Sequence, residues 1–196
     1  MMLDDLMPQY CASLIRHTVV AAPPQITFDS IRRTDVFSDR KLRALFDLRT
    51  VPARVGARAK GVEPQESMPP SMTFAEVFDS PGGFHPLAEA PPHEILAGMI
   101  GRFWQKDLGV LDFKDAESFR DFNEPDYGKT VADFTVRPYG AARSLLSYES
   151  RTVCTTEEAT RKFRRYFIAL RPGIAYVMVS ALRLIKAEAE NAAKGA

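Results

Sequence analysis

Cysteine is nearly absent from this 196-residue chain: Cys11 and Cys154 are its only two, with no CxxC pair and no repeated spacing. That scarcity excludes a disulfide framework and suits a reducing compartment, so a cytoplasmic protein is expected. Histidine is as thin. His17, His85 and His93 are scattered, with no HxH, HExxH or Cys/His cluster, so no metal site is expected. Phosphate-cradling loops are missing too. Gly56, Gly61 and the Gly82-Gly83 pair lack both the Lys-Ser/Thr ending of a P-loop and the strand-to-helix spacing of a dinucleotide site, so no cofactor is implied. Nor does charge of one sign dominate. A formal net charge of +1 creates no field to attract nucleic acid.

Long apolar runs are missing as well. The most apolar window, Ile174 to Ile185, contains Ser180 and Arg183 and falls short of the roughly 20 apolar residues that span a bilayer, so no integral membrane association is expected. The first residues carry Asp4 and Asp5 in place of the basic region and apolar core of a targeting signal.

What is present is an ordinary globular composition, 45% hydrophobic and 26% charged, long enough for one sizeable core and read as a single domain over 1–196. The clearest pattern stands at Thr155 to Ala193. Thr155 and Glu158 have the spacing of a capping box. Beyond them Ala159, Phe163, Tyr166, Phe167, Leu170, Ile174, Val177, Ala181, Leu184 and Ile185 recur at three- and four-residue steps, the period of one helical face. Arg161, Lys162, Arg164 and Arg165 occupy the other side and read as its solvated face. Pro172 and Gly173 predict a bend, because a proline there cannot donate to the carbonyl of Ile168. Such a helix needs a broad apolar surface to lie against.

Earlier segments supply candidates for that surface. The first eight residues read as a frayed lead-in. Tyr10 to Ala22 fits a strand ended by Pro23 and Pro24, and Ile26 to Leu48 suggests one short helix and then another. Residues 51–72, rich in Gly and Pro, read as a mobile surface loop, and its Arg54, Arg58 and Lys60 as a solvated face. Thr73 and Glu76 repeat the capping-box spacing ahead of a short helix. Phe84 to Glu89, Ile95 to Trp104 and Val110 to Phe113 read as strands, the second able to curve at Gly98 and Gly101. Asp115 to Phe122 reads as a loop or short helix. Lys129 to Val153 carries the clearest hairpin. Ala132, Phe134 and Val136 share one face of its first arm, and Leu146, Tyr148, Ser150 and Thr152 one face of the second. The total is an α+β pattern.

That order of elements resembles the START-like, or SRPBCC, superfamily. Pro91-Pro92-His93-Glu94-Ile95, Gly101-Arg102-Phe103-Trp104, and Glu149-Ser150-Arg151 leading to Cys154-Thr155 look like the local sequences of a bacterial subgroup within it. The resemblance implies a helix-grip fold, a curved antiparallel sheet around a long C-terminal helix. It also implies a cavity between the two, used by relatives for lipids, sterols, hormones or polyketides and in some cases for cyclisation or dehydration. The first strand should then run antiparallel beside the last, bringing Cys11 and Cys154 together at one sheet end as a free, reduced pair.

On this reading the partner is a small hydrophobic molecule. Met99, Phe103, Phe134, Tyr148, Phe163, Tyr166, Phe167 and Leu170 are the candidate lining, a set that either encloses a ligand or fills a core. His85, His93, Arg102, Glu149 and Arg151 are the polar candidates. His85 and His93 flank a turn and could approach each other. Glu149 and Arg151 share a strand face, read as an outward ladder; turned inward they would need pairing. A cyclase or dehydratase activity and a homodimer formed through an exposed apolar stripe are the competing readings.

Overall fold

A computed structural model describes residues 1–39, 41, 42, 71–78, 83–105 and 107–195. The expected helical positions Leu45, Phe46 and Leu48 and nearly all of the 51–72 loop lie outside the described residues. The chain begins with α1 (Met2–Leu6), β1 (Ala12–Val20) and α2 (Pro24–Arg33), followed by a single 3-10 turn at Val36–Ser38. Then come α3 (Phe74–Phe78), β2 (His85–Ala90), β3 (Glu94–Gly101), α4 (Ala116–Asp121), β4 (Gly128–Pro138), β5 (Ser144–Cys154) and the long α5 (Glu157–Lys194).

The five strands form one sheet in the order β1-β5-β4-β3-β2, every neighbouring pair antiparallel. β1 therefore lies beside the last strand, with Ala12 opposite Thr152 and Val20 opposite Ser144. In the central hairpin Phe134 stands opposite Tyr148 and Asp133 opposite Glu149. Alternation then divides the sheet into two faces. An inner face meets α2 and α5 through Val20, Ile95, Phe134, Val136 and Leu146, packed on Phe28, Ile31, Ala181, Leu182, Ile185 and Ala189. An outer face carries Leu96, Ile100 and Val131 against Leu3, Met7, Phe119 and Tyr127. Each fully buried side chain of this size contributes roughly 1.5–3 kcal/mol, so the two small cores hold the sheet from both sides.

Three local expectations are corrected. The opening residues are not frayed, because Leu3 is fully buried and Met7 nearly so on the outer face, which fixes α1 there. α5 is capped by Thr156, whose hydroxyl accepts the Ala159 N–H at 3.1 Å. Thr155 is unavailable for that role: it continues the ladder past β5, its N–H donating to the Tyr127 carbonyl at 2.9 Å and its hydroxyl accepting the Tyr127 N–H at 3.1 Å. Finally, Val110 to Phe113 makes only an isolated bridge between Leu111 and Ile100. The Thr73/Glu76 box does form, with Thr73 N–H on Glu76 Oε2 at 2.6 Å and Glu76 N–H on Thr73 Oγ1 at 3.3 Å.

Candidate functional site

α5 is held at its two ends. Ala159 and Phe163 are buried near its start, and Met178, Ala181, Leu182, Ile185 and Ala189 along its last third. Between them, from Arg164 to Val177, every residue is half-buried or exposed. The helix passes unbroken through Pro172. The inner sheet face is also incompletely covered. Met99 on β3, Thr130 on β4, and Tyr148 and Ser150 on β5 are half-buried, although β4 and β5 are interior strands of the sheet.

The predicted lining divides accordingly. Phe134 is core: it is 1% exposed, stacks on Tyr148 at 4.3 Å between ring centroids and meets Phe74 edge-on at 5.3 Å. Phe103 lies in the turn past β3 rather than on the strand, buried and edge-on to Phe163 at 6.1 Å. Phe163 in turn contacts Tyr166 at 6.0 Å and Phe167 at 5.8 Å, so these four rings make one cluster at the N-terminal end of the helix. Leu170 is exposed and lines nothing closely. Met99 and Tyr148 sit on the inner face beside Thr130 and Ser150. Desolvation pushes the Tyr148 hydroxyl up to about 12, so it is a hydrogen-bond donor at neutral pH.

The polar candidates are not brought together on that face. His85 starts β2, with Nε2 3.2 Å from Asp112 Oδ1 and its ring edge-on to Phe113 at 5.1 Å. His93 is exposed in the β2–β3 turn, at the opposite end of the hairpin from His85. The two do not converge, because β2 runs the full length of the hairpin between them. Arg102 lies over the Tyr127 ring at 4.3 Å.

Glu149 and Arg151 share the outer face, as their alternation with Tyr148 requires, but they form no solvated ladder. They are only 8% and 9% exposed, because α1 covers them. Arg151 Nε donates to Glu149 Oε1 at 2.7 Å, and its Nη1 reaches Asp4 Oδ1 at 2.8 Å and the Met7 carbonyl at 3.3 Å. Glu94 accepts the Met2 and Leu3 N–H groups at 3.0 and 3.1 Å, seating the free amides of α1 on a carboxylate. Asp133 stands opposite Glu149 beside this network, with no hydrogen bond to it. Desolvation first, then Glu94 and Glu149, raise its carboxyl to about 8, with Arg151 opposing. Sequence reasoning missed Glu94 and Asp133; an aspartate between Ala132 and Phe134 in an otherwise apolar strand arm was the available signal.

Two surface depressions of about 190 Å³ each are found among the described residues. One is bordered by Arg32, Ala75 and the β2–β3 edge, the other by Arg16, His17 and Thr18 of β1 with Val179, Leu182 and Lys186 of α5. Both are below the usual ligand-site range of about 300–1,000 Å³. No group of His, Cys, Asp and Glu among the described residues has the arrangement of a metal site.

A curved, open antiparallel sheet wrapped around a long C-terminal helix is the helix-grip architecture, and the strand order of this chain has it. No family model matches the sequence, and no curated protein matches it. Among solved structures the chain is similar to protein Ms6760 from Mycobacterium smegmatis, at 14% identity and a TM-score of 0.41 over 89% of this chain and 88% of that one. It is also similar to CalU16 from Micromonospora echinospora, at 12% identity and a TM-score of 0.30 over 93% and 86%. The Zhui aromatase/cyclase from a Streptomyces species gives 13% identity and a TM-score of 0.32 over 91% and 93%. Similarity of this degree assigns no activity, and the fold rests on the strand order itself.

Proposed function

We propose that this chain is a START-like protein that holds a small hydrophobic molecule between the inner sheet face and the middle of α5. One observation carries the reading. Side chains on the inner face of the sheet, Met99, Thr130, Tyr148 and Ser150, keep accessible surface, and so does every residue of α5 from Arg164 to Val177. Tyr148 sharpens it: the residue is half-buried by accessible area, yet it is desolvated enough to raise its hydroxyl to about 12. Residual accessibility at such depth fits an interior space better than open solvent. Phe163, Tyr166 and Phe167 supply an aromatic wall, while Tyr148 and Ser150 offer hydroxyls that fix a polar end.

The test is native mass spectrometry of gently purified protein, followed by saturable binding of a fluorescent hydrophobic probe. Ser150→Trp places an indole in the proposed space and is expected to abolish probe binding while retaining a cooperative thermal transition. Absence of saturable binding by the wild type, or unchanged binding by Ser150→Trp, overturns the reading.

On this face the cyclase or dehydratase reading keeps none of the five polar candidates and rests on Tyr148 of the lining set. A protonated phenol there polarises a carbonyl by donation, so a catalytic reading requires Tyr148→Phe to lose turnover while still binding the probe.

A further inference from the structure

The only two cysteines of the chain lie 143 positions apart in sequence and meet at one corner of the fold, with Cys11 Sγ 3.7 Å from Cys154 Sγ. Both are carried by paired backbone. The Cys11 N–H donates to the Thr152 carbonyl at 2.8 Å, extending the β1–β5 ladder, and Cys154 closes β5 opposite Gly128. The two stand as diagonal neighbours across the ladder end. Both thiols are half-buried and free, within reach of a small solute.

Their surroundings make them unequal. The two thiols share one hydrogen bond, and this contact, with help from the Arg164 guanidinium, lowers the Cys11 thiol to about 7 against the opposing effect of burial. Cys154 is raised, first by that same hydrogen bond and then by burial. A thiol lowered in this way is the more reactive nucleophile of a pair near neutral pH.

We propose that Cys11 and Cys154 form a hydroperoxide-reactive dithiol site, with Cys11 as the attacking sulfur and Cys154 as the resolving one. The Cys11 thiolate attacks the terminal oxygen of the hydroperoxide. The O–O bond breaks, an S–O bond forms, and the alkoxide or hydroxide that leaves takes a proton from water, giving a sulfenic acid on Cys11. Cys154 then attacks the Cys11 sulfur, the S–O bond breaks, and the departing hydroxyl leaves as water with the Cys154 proton. The peroxide gains two electrons and each sulfur gives up one. The sulfurs close from 3.7 Å to a bonded length of about 2.05 Å, tying the start of β1 to the β5–α5 corner.

The experiment uses the full chain, reduced, desalted and treated with stoichiometric hydrogen peroxide, then mapped as peptides without reduction. The expected product is an intramolecular peptide pair joined through Cys11 and Cys154. In Cys154→Ser a dimedone probe is expected to trap sulfenic acid at Cys11, and in Cys11→Ser the probe leaves Cys154 unmodified. On the unmodified protein, brief iodoacetamide labelling at neutral pH is expected to favour Cys11 by about tenfold or more, which keeps the assignment testable if either variant fails to fold. No intramolecular cross-link, or faster labelling of Cys154 than of Cys11, overturns the proposal.

Discussion

Asp133 is a carboxyl buried without a hydrogen-bond partner. It is 1% exposed, and it is raised to about 8 by burial and by Glu94 and Glu149, with Asp4 adding to and Arg151 opposing their effect. Unfolded aspartate titrates near 3.9. Between about pH 4 and pH 8 the native chain therefore holds a proton that the unfolded chain has lost, and stability falls as pH rises across that window, by up to about 1.4 kcal/mol per pH unit. The stabilisation is complete below the lower value and gone above the upper. Asp133→Asn is expected to flatten the pH profile of Tm from pH 5 to 8 and to stabilise the protein at pH 8 by about 1–3 kcal/mol, the unmet amide bonds offsetting the rest. Thermal melts across that range check it, and parallel profiles for the two proteins would show Asp133 ionised throughout. A smaller effect belongs to Thr156: Thr156→Ala removes the acceptor of the Ala159 N–H and should cost about 1 kcal/mol in urea unfolding.

α1 shows what an element borrows from its neighbours. Five residues are too few to hold a helix in water, so this one exists because Leu3 is buried against the outer sheet face and Glu94 and Arg151 receive its polar groups. Leu3→Ala is expected to cost roughly 2–5 kcal/mol, read by urea denaturation; a cost below 1 kcal/mol would return the segment to the frayed state that local pattern suggests. The contrast explains what was legible. Periodicity and a near-correct cap revealed α5, and alternation gave the phase of the β4–β5 hairpin, because both signals are local. Glu94 and Arg151 lie about ninety and one hundred and fifty positions from α1, and no local rule connects them. Periodicity also told which side of α5 points inward but not whether anything meets it there. Phe163 and Ile185 are buried on that stripe, while Leu170 is exposed. The Cys11 and Cys154 contact was legible only through the family likeness that placed β1 beside β5.

Across the molecule, the two faces of the sheet do different work. The outer face is closed by α1, α4 and a charge network, and among the described residues the inner face is closed where α2, Phe74 of α3 and the ends of α5 reach it. α5 meets the length and mean hydropathy of a membrane span, 1.5 over its most apolar window, yet only 28% of that window is buried. Ile168 is 73% exposed and Val179 50%. Lying three turns apart, they share one outward ridge. Arg161, Arg164, Arg165 and Arg171 surround its first half, and the helix carries no acidic residue from Ala159 to Ala187. Two copies meeting along this ridge would bury apolar surface but oppose arginine with arginine, so pairing should depend on screening. The Debye length falls from about 30 Å at 0.01 M salt to about 3 Å at 1 M. Sedimentation velocity is therefore expected to find a monomer at low salt and self-association growing with salt, abolished by Ile168→Glu. An association that weakens with salt would place the contact on oppositely charged surfaces elsewhere, and one indifferent to salt would place it away from this basic ridge.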